Sequence, residues 1–75
     1  MKQKYVRLKE YNSILIFPEI ITHDTFKHMN PISAGFCFIN SESRNVKCYG
    51  ESISLGLKSL DEDSKFATRQ LFGDD

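Results

Sequence analysis

Ile32-Ser33-Ala34-Gly35-Phe36-Cys37-Phe38-Ile39-Asn40 is the stretch on which the fold turns. It is the most apolar part of the chain and is rich in aromatic and β-branched residues, the composition of a central strand. Ser41-Glu42-Ser43-Arg44-Asn45 follows as a polar turn, and Val46-Lys47-Cys48-Tyr49 reads as the partner strand. A loop centred between Glu42 and Ser43 sets Ile39 against Val46, Cys37 against Cys48 and Phe36 against Tyr49. Side chains alternate along a strand, so one face shows Cys37, Ile39, Val46 and Cys48 and the other shows Phe36, Phe38 and Tyr49. Both faces are apolar, and both need cover.

Downstream, Gly50-Glu51 suits a two-residue turn with glycine first, and Ile53, Leu55 and Leu57 alternate with polar or small residues as a third strand of the meander. Ser59 followed by Glu62 is a capping box for a C-terminal helix. Asp61, Glu62 and Asp63 crowd its start, Lys65 and Arg69 lie toward its end, and Gly73 stops it. Phe66, Ala67, Leu71 and Phe72 form its core-facing stripe.

Upstream, Lys4 to Glu10 alternates as a half-buried strand, with Val6 and Leu8 inward and Tyr5, Arg7 and Lys9 outward. Asn12-Ser13 makes a turn into Ile14-Leu15-Ile16-Phe17, a second strand that stops at Pro18. Thr22 can cap a short helix over His23 to Met29, with Asp24 and His28 suited to its dipole; Asn30-Pro31 ends it. A structured loop over residues 22–30 is the alternative.

The element order is ββ(α)βββα: a single α+β domain over residues 1–75, with a small antiparallel sheet of about five strands and a C-terminal helix on one face. One helix covers one face. The other must be covered by the 18–31 segment or by another subunit, so a homodimer is expected.

The chain has 75 residues, 40% of them apolar and 27% charged, which is the composition of one folded domain and excludes a multi-domain enzyme. Ten basic and ten acidic residues cancel, which argues against a uniformly charged nucleic-acid or membrane binder. The balance is uneven: residues 1–11 carry Lys2, Lys4, Arg7 and Lys9 against Glu10, and residues 60–75 carry Asp61, Glu62, Asp63, Asp74 and Asp75 against Lys65 and Arg69. No apolar run approaches the length of a membrane span, and no apolar segment follows the basic start as in a secretory signal. A cytoplasmic location is expected, with Cys37 and Cys48 as reduced, small core residues.

No catalytic or metal constellation stands out, and no cofactor is expected. His23 and His28 five apart, and cysteines on neighbouring strands, do not match the paired ligands of a structural zinc site. Gly50-Glu51-Ser52-Ile53-Ser54 resembles a nucleophile elbow but lacks its second glycine and its strand–turn–helix setting. The four glycines are scattered and form no phosphate cradle. His23, Ser52 and Ser54 would make a small polar pocket if the fold joined them. A basic-aromatic first strand, Tyr5, Arg7, Lys9 and Tyr11, is a possible single-stranded nucleic-acid face, which Phe36, Phe38 and Tyr49 could extend if open. The same three aromatics are otherwise a partner or dimer surface.

Pro31-Ile32-Ser33-Ala34-Gly35-Phe36 and Cys48 to Ser59 with Asp63 after it, together with Phe17-Pro18 and His23, resemble small uncharacterised proteins of bacteria, their phages and mobile elements. The resemblance spans roughly residues 14–70. It implies a compact stand-alone domain and a partner-directed accessory role, and it carries no activity, ligand or catalytic residue. The expectation is a non-enzymatic interaction protein with an unidentified protein partner; the alternative is a single-stranded nucleic-acid binder.

Overall fold

In the computed structural model, which describes residues 2–73, strands β1 (Lys2–Leu8), β2 (Ser13–Phe17), β3 (Pro31–Asn40) and β4 (Asn45–Tyr49) form one antiparallel sheet in the order β2-β1-β3-β4. Met1 and the Asp74 and Asp75 of the acidic C-terminal segment lie outside the described residues. The apolar stretch 32–40 belongs to β3, the longest strand, and takes an interior position between β1 and β4. Its register on β4 pairs Ile39 with Val46, Cys37 with Cys48 and Phe36 with Tyr49, as the centred loop requires.

Both hairpin loops follow one plan. Residues 9–12 and 41–44 each turn the chain over four positions and end on a left-handed residue, Asn12 (φ 49°) and Arg44 (φ 55°). Asparagine tolerates that conformation through its short polar side chain. In the second loop the Asn40 carboxamide accepts from the Glu42 and Ser43 amides. Arg44 is held by donating to the Phe72 carbonyl at 3.0 Å, its guanidinium over the Phe72 ring.

Four local expectations are corrected. Residues 53–57 are not a strand of the meander: β5 (Glu51–Ser52) and β6 (Leu57–Lys58) form a separate two-stranded ribbon, with residues 53–56 as its turn. Gly50, at φ 79°, is the bend from β4 into that ribbon and not the first residue of a hairpin turn. The short helix expected over His23–Met29 is present, wound as a 3-10 helix, but the Thr22 hydroxyl donates to Asp24 instead of capping its backbone. The Ser59–Glu62 capping box does not form either. Helix α1 (Asp63–Phe72) begins later, because the Asp63 carboxylate takes the Leu60 amide at 3.0 Å and Glu62 is drawn to Arg7.

Each face of the sheet has its own core. Between the sheet and α1, Tyr5, Ile14, Cys37 and Val46 pack against Ala67 of the helix, with Ile39, Cys48 and the helix's Phe66 and Phe72 at the margin. Leu71, expected in this stripe, is instead exposed. Across the sheet, Val6, Leu8, Phe17 and Ala34 are covered by Ile21, Phe26 and Met29 of the 18–31 segment and by Leu55 and Leu57 of the ribbon. Burial of each large apolar side chain here contributes about 1.5–3 kcal/mol. The 18–31 segment therefore supplies much of the cover that a second subunit was the alternative for.

Helix α1 also closes the sheet's edges. Ser64 and Thr68, four apart on the helix, accept from the outward amides of Cys48 (2.7 Å) and Val46 (2.8 Å) on the outer strand β4. The spacing explains the fit: four helical residues rise roughly 6 Å, and two strand residues advance roughly 6.7 Å. On the other outer strand, the Gln70 carboxamide acts like a strand neighbour, accepting from the Ile14 amide and donating to the Ile14 carbonyl, both at 2.8 Å. Four strands span roughly 14 Å and a helix is about 10 Å wide, so reaching both edges requires the sheet to curl around α1. Thr68→Val keeps the shape but orphans the Val46 amide. It is expected to cost about 1–3 kcal/mol in urea denaturation and to speed amide exchange at Val46. Unchanged exchange at Val46 would contradict this role.

Candidate functional site

Tyr5 and Arg7 do not face solvent. Because β1 pairs with both β2 and β3, it is an interior strand, and α1 lies on the face that alternation assigned to water. Tyr5 is fully buried and its hydroxyl donates to Asp63, itself fully buried, at 2.5 Å. Arg7 donates to Asp63 at 2.9 Å and to Glu62 at 2.6 Å, with its guanidinium over the Phe66 ring. Lys9 and Tyr11 lie beyond β1 in the exposed turn. The possible nucleic-acid face of Tyr5, Arg7, Lys9 and Tyr11 is therefore not assembled; its first two members are packed under α1.

The electrostatics of this buried group are consistent. Burial acts to raise the Asp63 pKa, but donation from the Leu60 amide, Tyr5 and Arg7 outweighs it and holds the carboxyl below its ordinary value. Ser33 faces the group fully buried, its hydroxyl completing no hydrogen bond of good geometry. Burial first, and then the Asp63 carboxylate, push the Tyr5 hydroxyl well above its ordinary value, so it remains a donor. Burial works against the Arg7 charge, yet Glu62 and Asp63 more than restore it.

The open surface is the opposite face, at the β1–β3–β4 end. Register builds two rows there: Lys2, Phe38 and Lys47 in one, and Lys4, Phe36 and Tyr49 in the other. Phe38 is 48% exposed, Tyr49 38% and neighbouring Ile53 88%, while Phe36 is half-buried. Lys2 sits 4.6 Å over the Phe36 ring and pairs with Glu19 at 3.4 Å; Lys4 donates to the Ile21 carbonyl at 3.0 Å. The charged member of the first row that sequence reasoning passed over is Lys47; its register opposite Phe38 was the available signal.

Beside these rows is a cleft of about 500 Å³ lined by Lys2, Lys4, His23, Phe36, Tyr49, Gly50, Glu51, Ser52 and Ile53. His23 and Ser52, expected as parts of a polar pocket, do line one cavity. Ser54 joins only through a 3.4 Å contact with the Ser52 hydroxyl. The floor is rigid. His23 is buried with Nε2 2.8 Å from the Gly35 carbonyl, and since a carbonyl only accepts, Nε2 donates. Its ring meets Phe17 and Phe36 edge-on at 5.6 and 5.8 Å. A Cβ on Gly35 would lie 2.5 Å from the Tyr49 carbonyl oxygen, so the bend at β4 can sit against β3 only over a glycine.

The His23 Nε2 is committed to Gly35, and the Ser52 hydroxyl accepts from the Leu55 amide at 3.3 Å. Among the described residues no three of His, Cys, Asp and Glu gather as metal ligands. Burial pushes the Cys37 thiol up to about 11, and burial with Cys37 and Asp63 alongside pushes Cys48 to about 12, which leaves little thiolate at neutral pH. No described helix is long and apolar enough to cross a membrane. Comparison with protein-family models, curated proteins and solved structures finds no match.

The Asp63 group carries a pH signature. A carboxyl held below its unfolded value of 3.8 contributes stability that is complete above that pH and is lost as pH falls through the lower folded value. Stability is therefore expected to fall steeply in the native chain as pH drops from about 3.8 toward the folded value, and less steeply in Asp63→Asn, which should also cost about 3–5 kcal/mol at neutral pH by removing the buried charge that Tyr5 and Arg7 share. Parallel pH–stability curves for the two proteins would refute the assignment.

Proposed function

We propose that this chain is a small non-enzymatic interaction protein that binds a protein partner through the open face formed by Phe36, Phe38, Tyr49 and Ile53. The observation that carries the reading is the combination of half-exposed aromatics with a rigid floor. Phe38 and Tyr49 stand on paired strands, and Tyr49 is held by its close approach to Gly35, whose carbonyl His23 fixes in turn, so little ordering cost attends their burial. Aromatic anchors of this kind dominate protein interfaces. The accessory role implied by the resemblance to small bacterial and phage proteins agrees with a domain built around one contact face.

A second reading, single-stranded nucleic acid, is favoured by one observation: Lys2 and Lys47 flank Phe38 in a single row. Against it, Glu19 already pairs with Lys2, the Lys4 ammonium is spent on Ile21, and Glu51 stands in the wall of the cleft. A phosphate backbone would meet carboxylates there as well as ammonium groups.

Affinity capture from lysate with the native chain and with Phe38→Ala, each with and without nuclease, separates the two. Capture of protein that resists nuclease and is lost in Phe38→Ala is the expected result. Capture abolished by nuclease would transfer the face to the nucleic-acid reading, and capture unaffected by Phe38→Ala would remove the face from either role.

A further inference from the structure

We infer that the partner of the open face is a second copy of this chain, docked about a two-fold axis over the Phe36–Tyr49 floor. The inference rests on the interaction reading above and specifies it. An isologous interface must be complementary to itself, with an apolar centre and opposite charges placed where the two-fold exchanges them. The cleft has that form. Lys2 and Lys4 of β1 make one wall, Glu51 of β5 the other, and Phe36 and Tyr49 lie between them, their rings 6.1 Å apart. With the axis in the plane of the face and across the line from Lys2 to Glu51, a two-fold copy brings each Glu51 toward the partner's half-exposed Lys2, which it shares with Glu19.

The same operation explains Ile53. It stands at the cleft rim with 88% of its surface exposed and lines the same cleft as Phe36 and Tyr49, so it belongs to one apolar patch with them. Two-fold docking turns it into a knob that enters the partner's cleft, whose volume of about 500 Å³ accommodates it, and buries Phe38 and Tyr49 around it. A ligand of one charge sign has no such fit. A polyanion meets Glu19 and Glu51, and a polycation meets Lys2, Lys4 and Lys47. A chain of this size also buries a smaller share of its surface than larger domains do, so covering one face by pairing is a common remedy.

Sedimentation velocity of the full chain from low to high micromolar concentration tests this directly. The mass is expected to rise with concentration from 8.7 kDa toward twice that value. Ile53→Asp, at an exposed site where folding is untouched, should weaken association about 30-fold, the size of an anchor-residue effect. Glu51→Lys and Lys2→Glu should each weaken it, and the double variant, in which the exchanged charges meet again across the axis, should restore it. Retained far-UV circular dichroism and cooperative unfolding verify that each variant is folded. An 8.7 kDa species at every concentration, a dimer undiminished by Ile53→Asp, or a double variant no better than the single ones would each overturn the proposal. A monomer that still captures protein in a Phe38-dependent way would overturn self-pairing and leave the interaction reading standing. Loss of both would remove both.

Discussion

The buried carboxylate of Asp63 is the constraint on which the rest of the structure depends. A charge with no solvent exposure is tolerable only when its oxygens are occupied, and here the Leu60 amide, the Tyr5 hydroxyl and Arg7 supply the donors. Those donors come from the interior strand β1 and from the turn that enters α1. Satisfying the charge therefore fixes where the helix starts, which sheet face it covers and which strand lies beneath it. Glu62, held by Arg7, is removed from the capping role its position suggested.

From that anchor the helix runs so that its polar residues close the sheet. Ser64 and Thr68 complete β4, and Gln70 completes β2. Exposed sheet edges are liabilities for aggregation, and here the covering is done by side chains of the element that also fills the core. With one face occupied by α1 and stretches of both outer edges capped, the remaining contact surface is the far side of the sheet. There, cover by the 18–31 segment and the β5–β6 ribbon reaches Val6, Leu8, Phe17 and Ala34 and leaves Phe38, Tyr49 and Ile53 in water. The candidate site is thus the remainder left by the packing.

Much of the fold was legible residue by residue. The β3–β4 register followed from the loop centre alone, because pairing across a hairpin is a counting problem once the loop is placed, and the grouping of Cys37, Ile39, Val46 and Cys48 on one face came with it. Ala67, Phe66 and Phe72 were readable from helical periodicity. Residues 51–58 were misread because alternation of Ile53, Leu55 and Leu57 is also compatible with a turn between two very short strands. Tyr5 and Arg7 were misread for a different reason. A polar partner can bury a tyrosine or an arginine, and that partner was 55 or more positions away along the chain.

The sequence by itself determined the α+β class, the two hairpins, the C-terminal helix and the apolar character of both faces of β3, since these depend on local patterning and on the chemistry of short turns. Only the tertiary structure decided which face is closed. That choice depends on the long-range satisfaction of one buried carboxylate, an interaction to which periodicity is blind. It turned Tyr5 and Arg7 of a basic-aromatic strand into core and left Phe38, Tyr49 and Ile53 exposed on the opposite face.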